Sequence, residues 1–250
     1  MKKNVLLMSI LLVILFLYGR YISLDWTSLI FNTSKISLAT FKHAEIAKVL
    51  VSFLCSFIVF LIGKDGYDKG QTTVLQTTFI AIFTGDLLFF FDFSYIAVVA
   101  FFIAHTLLII RNGAGMTALL KENGHRPEKI KVFLIGIGSL FLYISIISFI
   151  FYPKLHGNVM LYLVMVYALL LCISIWIAWS SIIVGFMPQL NGIFTALGMG
   201  FFLLCDLSVG INFFINEGFL KIIAPCFTWT FYTAALVLLS FSGYKIQRKS

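Results

Sequence analysis

Charged residues are scarce in this sequence. Lys, Arg, Asp and Glu make up 11% of its 250 residues, whereas a soluble globular domain carries about 25%. Hydrophobic residues make up 61% of the chain, and the mean hydropathy is +1.04. No long polar stretch separates the apolar runs. The composition therefore argues against a soluble domain and predicts one integral membrane domain over residues 1–250.

Several enzyme motifs are also missing. The sequence contains no G-x-S-x-G, no H-E-x-x-H and no glycine-rich phosphate loop, which argues against serine hydrolase, metalloprotease and nucleotide chemistry. Its cysteines lie inside apolar stretches without any C-x-x-C pair, so neither disulfides nor a zinc site is expected. These cysteines are Cys55, Cys172, Cys205 and Cys226. We expect no metal and no cofactor.

The net charge of +8 does not indicate a nucleic-acid partner. Lys and Arg lie at the ends of apolar runs and not on a basic face with interleaved aromatic residues. In membrane proteins, such charges mark the cytoplasmic ends of helices. A cytoplasmic N-terminus puts most Lys and Arg residues on the inner side, including those of the 112–130 loop. The sequence predicts a multi-pass protein of the bacterial cytoplasmic membrane with both termini in the cytoplasm.

Long apolar runs are the main feature of the sequence. A membrane-spanning helix needs about 20 apolar residues, and eight segments meet this condition. They are residues 4–23, 46–63, 72–92, 94–111, 131–152, 158–180, 185–212 and 219–242. The weakest break between segments lies between the sixth and the seventh. There, residues 188–192, "PQLNG", predict a turn. The fold class is an all-α polytopic bundle of about eight transmembrane helices.

Two aspartates interrupt these runs: Asp86 in "FTGDLLFFFD" and Asp206 in "LLCDLSVGINF". A charged side chain deep in a bilayer is costly, so such residues usually face a cavity or a partner. The residues three and four positions away from each aspartate are not polar, so neither has a partner on its own helix. Both lie toward the outer face at similar depth. This predicts a shared hydrated cavity with carboxylate chemistry, the alternative being protonated aspartates that tie helices together.

Other polar side chains in the apolar runs are weaker candidates. His105 also needs a partner from another helix, and an adjacent carboxylate would favour a catalytic role for it. Lys48 follows Glu45 by three residues and can pair with it at a helix start. Tyr162 and Tyr232 could line a lipid-tail pocket, although packing is the commoner role of such aromatic residues.

The order of four sequence blocks resembles a known family. "FTGDLLFFF", "FFIAHTLLI", "GMGFFLLCDLSVGINFF" and "TFYTAALVLL" are similar, in this order, to the motif blocks of the YhhN-like lysoplasmalogenase family of membrane proteins. The resemblance implies about eight helices and hydrolysis of the vinyl ether bond of lysoplasmalogens, which releases a fatty aldehyde and a glycerophospho-ethanolamine or glycerophospho-choline. It also implies a lipid substrate with a long alkenyl chain as partner, within the bilayer.

The resemblance assigns residues as well. Asp86 and Asp206 match the two acidic positions of the family, and His105 matches its histidine. Vinyl ether hydrolysis needs one carboxyl that carries a proton and one that is ionised. The residues leave that assignment open, although flanking phenylalanines favour Asp86 as the acid. The candidate supporting or substrate-binding residues are His105, Asn212, Tyr162, Tyr232 and Lys48.

Two departures from the family pattern keep other functions open. Ala235 stands where relatives have glutamine, and Val49 follows Lys48 where relatives have proline. One alternative is a proton-coupled transporter; it loses support if all four prolines lie in loops or at helix ends, as the sequence predicts. The other is a non-catalytic lipid-binding membrane protein, which the alanine at position 235 favours. The sequence does not indicate an oligomeric state.

Overall fold

The computed structural model describes residues 2–30, 38–121, 127–215 and 219–245, and it is almost entirely helical. A 3₁₀ turn, Gly63–Asp65, follows the second helix, and a π-helix, Ile146–Phe151, joins the fifth to the sixth. The α-helices are α1 Lys2–Ile30, α2 Leu38–Ile62, α3 Lys69–Phe90, α4 Ser94–Lys121, α5 Pro127–Ser145, α6 Tyr152–Leu155, α7 Met160–Val184, α8 Gln189–Phe214 and α9 Phe219–Phe241.

Within these ranges, eight helical segments are long and apolar enough to cross a membrane; α5, the π-helix and α6 together form one of them. This confirms the predicted all-α bundle of about eight spanning helices. The main contacts join α8 to α9, α3 to α4 and α4 to α7. The orientation of the bundle across the membrane stays a prediction.

The break between α7 and α8 lies earlier than predicted. Gly185, with φ of 68°, ends α7, and Pro188 precedes the first residue of α8. A left-handed glycine after the last helical residue is a common way to end a helix. Asn191 and Gly192 therefore lie inside α8, and the predicted turn at 188–192 is wrong. Asn191 is buried there because its amide bonds backbone carbonyls at the end of α9.

Two other predicted helix ends are also wrong. Residue 111 is not the end of the fourth helix, because α4 continues to Lys121 with Arg111 fully buried inside it. Pro225 does not lie at a helix end, because α9 begins at Phe219. Proline has no N–H, so α9 lacks one backbone hydrogen bond near this point. The proline argument against a transporter therefore does not hold.

The two ends of the described chain meet at one end of the bundle, here called the terminal end. Lys3 forms an ion pair with Asp65, and the amide of Lys245 donates to the Asp65 carbonyl at 2.8 Å. Gly66 and Tyr244 form an antiparallel bridge. Burial, together with the nearby Asp65 carboxylate, raises the pKa of Tyr244 to about 12. The first helix thus begins, and the last helix ends, at the same end of the bundle.

Arg111 explains how the end of α9 is held. Its Nη2 donates to the Ser242 carbonyl at 3.0 Å, and Asn191 Nδ2 donates to the same oxygen at 2.8 Å. The C-terminus of a helix carries a partial negative charge, which stabilises a nearby cation. This interaction accounts for an arginine with no exposed surface in the bundle interior. The opposite end of the bundle, where α3 and α8 finish, contains the candidate site.

Candidate active site

Both aspartates lie inside the bundle toward the end opposite the termini. Asp86 is about one turn before the last residue of α3, and Asp206 is about two turns before the last residue of α8. Gly85 lets α3 approach α4 at this level, because a Cβ there would lie 2.7 Å from the Phe101 ring. The local sequence "GD" therefore combines close helix packing with an inward carboxylate.

Asp206 receives hydrogen bonds from two other helices. His105 Nε2 of α4 lies 2.9 Å from Asp206 Oδ2, and the Tyr167 hydroxyl of α7 donates to the same oxygen at 2.9 Å. The His105 side chain is fully buried, and that of Asp206 is 11% exposed. His105 Nδ1 has no hydrogen-bond partner within the described part of the chain. Nε2 is therefore the ring nitrogen of His105 that bonds the Asp206 carboxyl.

Asp86 has a corresponding arrangement with different partners. The Tyr232 hydroxyl of α9 donates to Asp86 Oδ2. Ser52 of α2 lies close to this carboxyl, and its hydroxyl donates to the Val49 carbonyl at 3.1 Å. Asp86, Tyr232 and Ser52 are all buried. Each aspartate is thus bonded by one tyrosine hydroxyl that comes from a distant part of the chain.

The Phe202 ring contacts one hydrogen-bonding partner of each aspartate. It makes edge contacts with the His105 ring at 4.7 Å and with the Tyr232 ring at 6.2 Å between centroids. Asp206 is also one of the charged groups that act electrostatically on Asp86. The structure therefore brings the two aspartates into one group of side chains, called the aspartate cluster. Its members are Ser52, Asp86, His105, Tyr167, Phe202, Asp206 and Tyr232.

Lys48 lies beside this cluster on α2. Its Nζ is 5.5 Å from the centroid of the Trp229 ring, and that ring stacks on Tyr21 with 5.7 Å between centroids. Lys48 also acts electrostatically on Asp86. Glu45, which the sequence predicts as the partner of Lys48, also takes part in a polar or electrostatic interaction.

Two of the sequence candidates lie away from the cluster. The Tyr162 side chain is 69% exposed on the outside of the described bundle, where lipid would contact it. Asn212 has an exposed side chain near the end of α8. A cleft of about 210 Å³ opens near this end of the bundle, but neither aspartate lines it. It is lined by Phe149, Ile150, Pro153, Lys154, Ile215, Phe219 and Leu220.

Sequence reasoning missed Tyr167 and Ser52. Tyr167 sits in the apolar run "VMVYALLL", where a single hydroxyl could have been noticed. Ser52 follows Lys48 by one helical turn, so both lie on the same face of α2. Among the described residues, no three His, Cys, Asp or Glu side chains are grouped as metal ligands.

Fold and site together define a polytopic α-helical membrane protein with two tyrosine-bonded carboxyl groups toward one end of its bundle. The chain belongs to the YhhN family, whose family model matches residues 42–243. This confirms the resemblance seen in the sequence blocks. The matched range contains every member of the aspartate cluster. No curated protein and no solved structure matches the chain.

Proposed function

We propose that this protein is a membrane-embedded hydrolase that cleaves the vinyl ether bond of lysoplasmalogen-type lipids. The observation that carries the proposal is the aspartate cluster, in which a buried carboxyl group and one that is 11% exposed lie in one region toward one end of the bundle. Family membership and eight apolar helices support it. A single-chain lipid has its ether bond near the interface and its chain in the hydrocarbon, which suits a site at this depth.

Asp86 is proposed as the general acid. It transfers a proton to the vinyl carbon beta to oxygen, which converts the ether into an oxocarbenium ion. Asp206, ionised, stabilises this cation and takes a proton from the water that adds to the carbon bearing oxygen. The product of this step is a hemiacetal. Its collapse returns a proton from the hemiacetal hydroxyl to Asp86, while Asp206 protonates the departing glycerol oxygen, so one water is consumed in each cycle.

The hydrogen bonds of the cluster support these roles. His105 and Tyr167 both bond Asp206 on Oδ2, so Oδ1 is the oxygen proposed to face the water. Charge-assisted hydrogen bonds of this kind hold a carboxylate in a fixed orientation. The Tyr232 hydroxyl orients Asp86 through its hydrogen bond to Oδ2.

The test is aldehyde release from 1-alkenyl-glycerophospho-ethanolamine by the purified protein. We expect Asp86→Asn and Asp206→Asn to lower turnover on the order of 10²–10⁴-fold, because each removes a proton-transfer group. An ester lysolipid of equal chain length should give no aldehyde.

Asp92→Asn is the matched control. Asp92 is exposed just beyond α3 with φ of 62°, a conformation that asparagine also tolerates, so wild-type turnover is expected. Near-wild-type turnover in either cluster variant would remove the pair as the catalytic unit. A folded wild type without aldehyde would favour the non-catalytic lipid-binding alternative.

A proton-coupled transporter is the second candidate. Pro225 interrupts the backbone hydrogen bonding of α9 about two turns before Tyr232, and interrupted helices occur near transporter sites. Proton flux into proteoliposomes that disappears in Asp86→Asn would favour this reading, provided that the wild type releases no aldehyde.

A further inference from the structure

A row of polar side chains runs along α2 into the bundle. Lys48, Ser52 and Ser56 follow one another at four-residue spacing and therefore lie on one face of the helix. Ser52 and Ser56 are buried, whereas Lys48 is half-buried. Ser52 lies close to the Asp86 carboxyl. The row thus leads from Lys48 at the edge of the bundle to the proposed general acid.

Lys48 also lies near one end of the apolar span of α2. The apolar span of α2 begins at Glu45, less than one turn before Lys48. A lysine at this depth reaches the membrane interface with its ammonium while its methylene groups stay in apolar surroundings. The Trp229 ring beneath Nζ limits where the ammonium can lie.

The separation of Lys48 from Asp86 is informative. Lys48 acts electrostatically on Asp86, yet the described contacts include no direct ion pair between them. The lysine is therefore near the acid without being its hydrogen-bond partner. In a lysoplasmalogen, the glycerol backbone alone separates the ether oxygen from the phosphate, so a bound substrate would place its phosphate a short distance from the general acid.

We propose that Lys48 is the headgroup subsite, where its ammonium binds the phosphate of the lysophospholipid and so sets the alkenyl ether against Asp86. The inference rests on the proposed function and adds the group that the site recognises. Lysine is a frequent phosphate ligand because it is a compact positive charge with three donors. Trp229 positions the lysine and is not itself a phosphate ligand.

The kinetic test compares two substrates that differ only in the phosphoethanolamine headgroup: 1-alkenyl-glycerophospho-ethanolamine and 1-alkenylglycerol. Lys48→Gln should raise KM for the first by about tenfold to a hundredfold, the effect of losing one hydrogen bond to a charged group. Its KM for 1-alkenylglycerol, which has no phosphate, should stay close to that of the wild type. Lys48→Arg, which keeps the charge, should recover most of the loss.

Lys64→Gln is the matched control, because it removes the same charge from an exposed position at the terminal end. Glu45→Gln tests whether Lys48 acts only through an ion pair with Glu45 on α2 and not by binding phosphate. If Lys48 serves only to pair with Glu45, both variants will impair the two substrates alike, and the proposal is overturned. Equal KM effects of Lys48→Gln on both substrates would overturn it as well.

A binding measurement separates failure of the subsite from failure of the proposed function. Titration with lyso-phosphatidylethanolamine, the ester analogue, against a monoacylglycerol needs no turnover. Weaker binding of the phospholipid alone in Lys48→Gln supports the subsite even if the wild type releases no aldehyde. Unchanged binding of both lipids overturns the subsite whatever the activity.

Discussion

At the scale of single residues, each carboxyl group of this site is bonded by a tyrosine hydroxyl from another helix. Tyr232 and Tyr167 come from different helices, and each donates to a different aspartate. The Tyr232 ring also packs against Phe202. Its hydroxyl and its ring therefore have separable effects, the first on orientation of the acid and the second on packing.

Tyr232→Phe separates these effects. We expect kcat to fall by about tenfold, because one hydrogen bond to the carboxyl is lost while the ring stays in place. Thermal stability in detergent should change little. Tyr162→Phe, which removes a hydroxyl from an exposed ring, should leave kcat unchanged. A loss of stability with unchanged kcat in Tyr232→Phe would instead assign the hydroxyl a structural role.

At the scale of helices, the approach of α3 to α4 sets the position of Asp86. Gly85 makes this approach possible, because the Phe101 ring occupies the space that a side chain would need. The same ring contacts Phe89 and Phe202. A shift of Phe101 would therefore affect both the end of α3 and the Phe202 ring, which contacts His105 and Tyr232.

Gly85→Ala tests this packing. The added methyl would lie 2.7 Å from the Phe101 ring, so we expect a loss of about 1–3 kcal/mol of stability from overpacking and a fall in activity. Gly138→Ala is the control, since nothing lies within 4 Å of a Cβ at that position in α5. If adding Phe101→Leu to the Gly85→Ala protein restores its stability and activity, the contact is confirmed. A Gly85→Ala protein as stable and active as wild type would contradict it.

At the scale of the whole molecule, the aspartate cluster and the chain termini lie toward opposite ends of the bundle. If the termini are cytoplasmic, as the distribution of Lys and Arg predicts, the site lies toward the outer leaflet. Under the proposed function, the orientation of the bundle therefore decides from which leaflet the lipid substrate enters.

Labelling of single introduced cysteines measures this orientation. The four native cysteines are all buried, so the background should be low. With an impermeant maleimide, Asp92→Cys should be labelled in intact cells, and Lys64→Cys only after permeabilisation. The reverse pattern would place the site at the cytoplasmic face.

Local patterns in the sequence determined which residues form membrane helices and which carboxyl groups lie within them. Apolar length and the cost of a buried charge are properties of short segments, so no tertiary contact is needed to recognise them. Local patterns failed where a distant contact outweighs them. Arg111 and Asn191 look like helix-end residues, but the carbonyl of Ser242 holds both inside helices.

Only the tertiary structure decided which side chains meet. Tyr167 and Asp206 are 39 residues apart in sequence, and Tyr232 and Asp86 are 146 apart. Spacing within one helix carries no information about such pairs, because the rotation and neighbours of each helix follow from packing across the bundle. The sequence by itself therefore determined that two aspartates lie within membrane helices, while helix packing decided that each is bonded by a tyrosine and that Lys48 lies beside them.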